Sequence, residues 1–222
     1  MSRFAGTDLA CIRGERLVFQ GLGFALDAGQ ALVLGGANGS GKSSLLRLLA
    51  GLARPAGGTL SWDGASIADD PDAHRARLLY VGHADPLKPA LTVAENLAFW
   101  AALRAGRRLA DSAVVAALDA FAIGRLAGVP GRYLSAGQRR RVNLARLAVS
   151  PVALWLLDEP TTALDAAAGE SLRALIAAHR ARGGMVVAST HSELGLDGAR
   201  QLNLDAPAAA GGIKENHVSV PA

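Results

Sequence analysis

The chain has 222 residues, half of them hydrophobic and 19% charged, which suits one sizeable α/β domain and excludes a disordered polypeptide. A single cysteine excludes an internal disulfide and a cysteine-rich metal site, as is typical of a reducing compartment. The net charge of +4 is compatible with a nucleic acid or an anionic membrane surface, but a coding bias that prefers arginine to lysine accounts for it more simply. We find neither a run of about 18 apolar residues nor an apolar signal sequence, and we expect a soluble chain.

The first half of the chain predicts strands followed by a strand–loop–helix unit. Short alternating segments bounded by Gly or Asp predict antiparallel strands at 9–13, 16–19 and 23–26. An apolar strand at 31–34 then enters a glycine-rich loop, and a helix follows at 43–50. Further strands are expected at 59–62 and 78–81.

The second half predicts helices and then two buried strands. Thr92 and Glu95 form a capping box that opens one helix, and a second amphipathic helix is expected at 111–121. Continuous apolar runs at 152–157 and 185–190 are typical of parallel strands buried on both faces, with a crossover helix at 166–182. We therefore expect one domain over 1–205 with an inserted helical subdomain at about 86–150, followed by a flexible tail at 206–222.

The loop after the strand at 31–34 matches the phosphate-binding pattern GxxxxGK[ST]. Its glycines allow backbone N–H groups to face phosphates, Lys42 is placed to reach the β- and γ-phosphates, and the Ser43 hydroxyl is placed to bind Mg²⁺. The residues predicted to hold the nucleotide here are Gly36, Ala37, Asn38, Gly39, Ser40, Gly41, Lys42, Ser43 and Ser44. The sequence thus predicts a nucleoside triphosphate site.

Two adjacent acids follow the apolar strand that ends at Leu157. Successive side chains at a strand end point to opposite sides, so Asp158 and Glu159 are expected to do different work. We predict that Asp158 holds Mg²⁺ with Ser43, and that Glu159 polarises the attacking water as a general base.

Residues 134–138 read Leu-Ser-Ala-Gly-Gln and precede a basic helix, for which Ser135 is a good N-cap. With the phosphate-binding loop before it and Asp158-Glu159 after it, this run resembles the LSGGQ signature of ATP-binding-cassette (ABC) ATPases. The resemblance covers about residues 5 to 204. It implies an α/β P-loop NTPase core of ABC type with an antiparallel β subdomain and an inserted helical subdomain. It also implies that Ser135, Gly137 and Gln138 bind ATP held by a second copy of the chain, in a homodimer with ATP sandwiched between the subunits.

Further positions take roles from the same resemblance. Asp165, at the end of Thr-Ala-Leu-Asp, is similar to the D-loop at the dimer interface, and His191 is similar to the switch histidine that contacts the γ-phosphate. His83 stands where the family usually has glutamine, so it is either a catalytic residue near Mg²⁺ or a structural one. The family's adenine-stacking aromatic residue is missing, and Arg13 either stacks on adenine or is an exposed turn residue.

A narrower resemblance follows from a set of segments. The segments are 47–52, 81–84, 91–97, 134–138 and 154–155, and they are similar to the ATP-binding subunit of the haem exporter of bacterial cytochrome c maturation. This resemblance implies integral membrane transporter subunits as partners and a peripheral place on the cytoplasmic face of the inner membrane. It implies that ATP hydrolysis drives haem delivery to a periplasmic haem chaperone.

Two other functions compete with transport. A soluble ABC ATPase acting on nucleic acid suits the basic charge, but such proteins usually carry two cassettes or a long coiled-coil insertion, so no nucleic acid partner is expected. A small-molecule P-loop kinase does not account for the residues at 134–138 and 162–165.

Overall fold

A computed structural model describes residues 2–106, 108–190 and 194–205 of the chain. The strands are β1 (Arg3–Arg13), β2 (Arg16–Asp27), β3 (Ala31–Gly35), β4 (Gly57–Trp62), β5 (Ala65–Ser66), β6 (Leu78–Val81), β7 (Leu154–Asp158), β8 (Met185–Ser189) and β9 (Arg200–Asn203). The α-helices are α1 (Lys42–Leu49), α2 (Pro71–Ala76), α3 (Val93–Ala105), α4 (Asp111–Asp119), α5 (Ala136–Ala148) and α6 (Ala166–Ala181). Short 3₁₀ helices lie at Gly124–Leu126 and Gly131–Tyr133. The tail expected at 206–222 lies outside the described residues.

The first sheet is antiparallel, with the order β2-β1-β4-β5. β1 and β2 are long strands, so the prediction of three short strands at 9–13, 16–19 and 23–26 is wrong. Asp8 and Gly21 have positive φ, and the pairing of β1 with β2 shifts register along its length. Bulges absorb extra residues without ending a strand, and that is why these polar and glycine positions look like breaks in the sequence.

The second sheet is parallel, with the order β6-β7-β8-β3-β9. The loop between β3 and α1 leaves the sheet at the same edge as the ends of β6, β7 and β8. In open parallel sheets this carboxyl edge is where ligands bind. The topology therefore brings the glycine-rich loop and the acids after β7 to one place.

The parallel sheet is buried on both faces because it separates two hydrophobic cores. Along β7, Leu154 and Leu156 pack into the core shared with the antiparallel sheet and α1. Trp155 and Leu157 alternate with them and pack into the core formed with α3, α4, α5 and α6. This period-two alternation of apolar residues accounts for the continuous apolar run in the sequence.

Between β6 and β7, the described residues form helices, turns and one isolated antiparallel bridge between Thr92 and Pro130. Thr92 caps α3 as predicted, since its hydroxyl accepts from Glu95 N–H and the Glu95 carboxylate accepts from Thr92 N–H. Two sheets with helices inserted between strands confirm the predicted α/β class. None of the helices in the described part of the chain combines the length and apolar character that a bilayer crossing requires.

Candidate nucleotide-binding site

An open cavity of about 720 Å³ lies at the carboxyl edge of the parallel sheet. Many of its lining residues were predicted from sequence: Arg13, Asn38, Gly39, Ser40, Gly41, Lys42, Ser43, Ser44, His83, Asp158 and Glu159. The lining residues that sequence reasoning missed are Arg16, Val18, Thr162, Ser189, Leu204 and Asp205. A cavity of this size and polarity can hold a nucleoside triphosphate.

The glycine-rich loop wraps around its own lysine. Lys42 is buried, and its Nζ donates to the carbonyls of Gly36 at 2.7 Å and Ala37 at 3.0 Å. Gly41 caps α1 with a φ of 105°, and a Cβ there would lie 2.5 Å from Val18 Cγ1. Glycine is therefore required at Gly41 both for the left-handed backbone and for the close approach of β2.

Gly36 and Ala37 lie at the start of the loop, next to Asp205, which follows β9 by two residues. The Ala37 N–H donates to Asp205 Oδ2 at 2.6 Å, and a Cβ on Gly36 would lie 3.2 Å from both Asp205 carboxylate oxygens. The loop backbone is thereby tied to a strand far away in sequence. The pairing of β3 with β9 creates this contact, for which the sequence gives no local signal.

Asp158 is a buried carboxylate surrounded by hydroxyl groups. Its Oδ1 accepts from Ser43 Oγ at 3.1 Å and from Ser189 Oγ at 2.9 Å, and Tyr80 Oη donates to Oδ2 at 3.4 Å. Burial, followed by the nearby Asp158 charge, raises the pKa of Tyr80, so that its hydroxyl stays a donor. Ser43 and Asp158 offer hydroxyl and carboxylate oxygens side by side, the donor type that Mg²⁺ prefers.

Glu159 follows Asp158 with an unusual backbone. Its φ is 46°, in the left-handed region that a non-glycine residue adopts at a cost of about 1 kcal/mol or more. The Glu159 N–H donates to the Ser189 carbonyl at 3.0 Å, so the chain leaves β7 in a fixed direction. Glu159 and the buried Asp158 both line the cavity.

His83, after β6, and Arg13, at the end of β1, both line the cavity. His83 Nε2 lies 3.7 Å from Asp158 Oδ1, with 61% of the side chain exposed. Arg13 pairs with Arg16 across the turn between β1 and β2, so two guanidinium groups border the cavity where one was predicted. Arg16 lies three residues after Arg13, beyond the turn at Gly14 and Glu15, and the register of the hairpin places the two arginines opposite each other.

The residues predicted to act across a dimer lie outside this cavity. Ser135 caps α5 in a capping box, with its Oγ accepting from Gln138 N–H at 3.2 Å and its N–H donating to Gln138 Oε1 at 2.8 Å. A Cβ on Gly137 would lie 2.9 Å from the Ala163 carbonyl, so a larger residue would displace the loop before α6. The first N–H groups of a helix have no acceptor within the helix, so the exposed start of α5 favours an anion.

Asp165 acts as the N-cap of α6. Its Oδ1 accepts from Ala168 N–H at 2.9 Å, and this hydrogen bond, ahead of the nearby Arg141, lowers the pKa of the Asp165 carboxyl. The carboxylate contacts no part of the cavity of its own chain that the structure describes. His191 lies outside the described residues.

Comparisons with known proteins identify the family to which this chain belongs. The family model described as ABC transporter matches residues 19–162. The "Cytochrome c biogenesis ATP-binding export protein CcmA" of Paramagnetospirillum magneticum is 59% identical over 94% of this chain and 97% of its own length. The protein of the same name from Rhodospirillum rubrum is 59% identical over 91% of this chain and 85% of its own length.

A solved structure gives the same result for the fold. The dimeric, post-hydrolysis state of the ATP-binding cassette MJ0796 bound to ADP and Pi matches with a TM-score of 0.79 and 25% identity, covering 90% of this chain and 93% of that chain. The predicted ABC type of the fold is therefore confirmed. The chain belongs to the ABC transporter family as an ATP-binding subunit, and within it to the cytochrome c biogenesis ATP-binding export proteins.

Proposed function

We propose that this chain hydrolyses ATP to energise a membrane transporter that delivers haem to a periplasmic chaperone during c-type cytochrome biogenesis. The observation that carries the ATPase part is the single cavity shared by the glycine-rich loop, Asp158, Glu159 and His83. The names of the 59% identical relatives support the transport part, since those proteins are called cytochrome c biogenesis export proteins.

In the proposed mechanism, the loop and Lys42 hold the phosphates. The start of α1 and the loop amides bind the negative charge, and Lys42 exchanges its carbonyl partners for β- and γ-phosphate oxygens. Ser43 and Asp158 are the residues that would hold Mg²⁺, which neutralises phosphate charge when bound. Arg13, with Arg16, stacks on or borders the adenine.

Hydrolysis itself is assigned to Glu159, with His83 and His191 as further catalytic residues. The Glu159 carboxylate orients and polarises a water toward the γ-phosphate, and His83 donates or accepts a hydrogen bond beside Asp158. We assign His191 the switch-histidine role from the family resemblance alone.

A second copy of the chain completes each site in this proposal. Ser135, Gly137 and Gln138 at the start of one α5 bind the γ-phosphate held by the partner, with Asp165 at the same interface. The exposed, capped N-terminus of α5 supports this, because helix N-termini favour anions. The MJ0796 cassette is itself described as dimeric.

We place the helical region at 86–150 against integral membrane subunits, within an ABC ATP-binding domain spanning 1–205. The surface that supports this includes Phe99 and Leu103 on α3, which are 37% and 67% exposed. The chain would then be peripheral, on the cytoplasmic face of the inner membrane.

Replacing Glu159, the proposed general base, tests the catalytic assignment. We expect Glu159→Gln to bind ATP, lose more than about 99% of turnover and accumulate as an ATP-bound dimer, because the amide keeps the shape but cannot polarise water. Steady-state hydrolysis and size-exclusion chromatography with ATP measure both effects. Glu170→Gln is the matched control, since Glu170 lies on the exposed face of α6 and pairs with Arg173. Turnover of Glu159→Gln within about threefold of wild type would remove Glu159 from the mechanism.

A further inference from the structure

A buried guanidinium lies directly behind the catalytic end of the parallel sheet. Arg140, on α5, has only 4% of its side chain exposed, although arginine is rarely buried without partners. Its Nη1 donates to the Gly82 carbonyl at 2.7 Å and approaches Asp85 Oδ1 at 3.4 Å. The guanidinium is therefore attached to the loop that carries His83.

The rest of the Arg140 guanidinium binds the turn after β7. Nη2 donates to the carbonyls of Asp158 at 3.1 Å and Glu159 at 2.8 Å, and Nε donates to the Pro160 carbonyl at 3.3 Å. With the two contacts of Nη1, five acceptors meet the five N–H donors that a guanidinium carries. A fully hydrogen-bonded buried charge holds the geometry of its partners, because moving any of them leaves that charge unsatisfied.

Four of the five acceptors are backbone carbonyls, and they belong to Asp158 and Glu159 or to residues directly beside a proposed catalytic residue. The Glu159 carbonyl belongs to the residue with the left-handed φ of 46°, a conformation that persists only where surrounding contacts favour it. Gly82 directly precedes His83. Arg140 is thus bonded to both residues' local backbone, while it does not line the nucleotide cavity.

Arg140 also lies in the helix that begins at the cap Ser135. Any displacement of α5 moves Arg140 relative to its acceptor carbonyls, which lie at or just after the ends of β6 and β7. The contact with Asp85 extends the connection, since Asp85 Oδ1 also accepts from Asn143 Nδ2 at 2.9 Å. The position of α5 and the position of the Glu159 turn are therefore mechanically linked.

We propose that Arg140 is a positioning residue for ATP hydrolysis, which fixes the Glu159 turn and the His83 loop and couples both to α5. This inference rests on the proposed role of Glu159. It assigns no contact with ATP to Arg140. Loss of Arg140 should therefore lower the rate of the chemical step and leave nucleotide binding intact.

The test uses Arg140→Gln and Arg140→Lys, measured for kcat, KM, nucleotide dissociation constant and melting temperature. We expect Arg140→Gln to lower kcat at least about tenfold while KM and nucleotide affinity stay within about threefold, and Arg140→Lys to recover part of the rate. The lysine variant keeps the charge, so it also serves if the glutamine variant does not fold. A raised KM with unchanged kcat, or a kcat within twofold of wild type in both variants, would overturn the proposal.

Arg180→Gln is the matched control. Arg180 likewise donates to backbone carbonyls, those of Gly29 and Asp197, but away from the cavity. We expect it to lower the melting temperature without changing kcat. An equal loss of kcat in Arg180→Gln would mean that destabilisation alone explains Arg140, and the positioning role would be dropped.

A double-mutant cycle separates this inference from the proposed function. If Arg140 acts through Glu159, adding Arg140→Gln to Glu159→Gln should lower the residual ATPase rate by less than a further factor of about two. Additive losses would contradict positioning. An active Glu159→Gln would instead refute the general base itself, whereas an inactive Glu159→Gln with normal Arg140 variants would refute only the inference drawn here.

Discussion

His83 occupies the position where the resembled ABC ATPases usually carry glutamine, beside the buried Asp158. Glutamine can accept and donate hydrogen bonds at a similar reach, and alanine cannot. We expect His83→Gln to hydrolyse ATP within about threefold of wild type and His83→Ala to lose at least about tenfold in kcat. Initial rates at saturating ATP with Mg²⁺ measure both variants.

Nucleotide affinity provides the control for the His83 pair. Both variants should bind ATP as wild type does, since phosphate binding is assigned to the loop and Lys42. If His83→Ala retains full kcat, His83 is a structural residue or a docking residue for a partner. Its catalytic role is then withdrawn.

At the scale of residues, the sequence predicts those side chains whose chemistry follows a local pattern. The glycine-rich loop, Asp158 and Glu159 belong to such patterns, and they line one cavity. Asp205 reaches the loop only through the pairing of β3 with β9. Arg140 looks like one of three basic residues on a helix, and its burial against carbonyls depends entirely on how α5 packs.

The helices α3 and α5 begin with the same capping geometry, which allows a controlled test of Ser135. In each capping box the hydroxyl accepts from the N–H three residues later at 3.2 Å, from Glu95 in one and Gln138 in the other. Ser135→Ala and Thr92→Ala should each cost about 1 kcal/mol of unfolding free energy. Only Ser135→Ala should also reduce turnover, by more than about tenfold, because its hydroxyl is proposed to bind ATP across the dimer.

Urea unfolding and ATPase assays on the same preparations separate the two roles of Ser135. The Thr92→Ala variant is the control, since it shows how much the activity changes when a helix cap alone is lost. Equal turnover in the two variants would show that Ser135 only caps α5.

The contact of α6 with β7 and β8 includes a histidine that is held neutral. The His179 ring stacks on Trp155 with centroids 3.7 Å apart, and its Nε2 lies 3.3 Å from the Met185 carbonyl. Burial, as the largest cause, lowers the pKa of His179 to about 4. The unfolded chain therefore binds a proton at higher pH than the folded chain, and stability falls as pH decreases from about 6.5 toward 4.

Protonation of His179 in the unfolded chain should lower the unfolding free energy of the wild-type protein by about 1.4 kcal/mol as the pH falls from 7.5 to 5.5. His179→Gln removes the titration, so its stability should be lower at pH 7.5 but fall less on acidification by about that amount. Urea titrations at the two pH values measure the difference. Ile176→Val, a buried change on the same helix, should lower stability and keep the wild-type pH dependence. The same pH dependence in His179→Gln would show that this histidine does not protonate on unfolding as described.

At the scale of elements, periodicity and caps predict the buried strands and most helices within one or two residues. The prediction fails where tertiary context decides. β9 is a half-exposed edge strand with the sequence Arg-Gln-Leu-Asn, which has no apolar run. α2 begins with the usual helix-start residues, Asp70 as N-cap and Pro71 at the first position. It has only six residues, so the sequence pattern does not predict it. Bulges at positive φ conceal the length of β1 and β2.

At the scale of the whole molecule, the nucleotide cavity is open and the start of α5 is solvent-facing, so a second copy is proposed to close the site. The face that we propose for membrane subunits is a separate one, which includes the exposed apolar residues of α3. The two proposed interfaces involve different elements. Association with the membrane should therefore survive variants that block dimer closure, such as Ser135→Ala.

Fractionation tests the partner class for the whole molecule. We expect the chain to sediment with membranes only when its membrane subunits are co-expressed, and to copurify with those subunits when they carry a tag. Glu159→Gln is the suitable form, because an ATP-bound dimer that cannot hydrolyse should retain the complex longer. A haem assay on the purified complex, with and without ATP, then tests the transported species.

The net charge of +4 suits the alternative function, an ATPase that acts on nucleic acid. A chain that works on nucleic acid should stay in the soluble fraction and bind DNA or RNA with an affinity that falls steeply as salt is raised, because bound counterions are released from the phosphates. Docking through the apolar residues of α3 should instead resist moderate salt, since burial of apolar surface does not weaken as charges are screened.

Replacing Leu103 with Asp should release the chain from membranes while its ATPase rate without partners stays unchanged. Retention of Leu103→Asp at the wild-type level would place the membrane subunits on another face of the molecule.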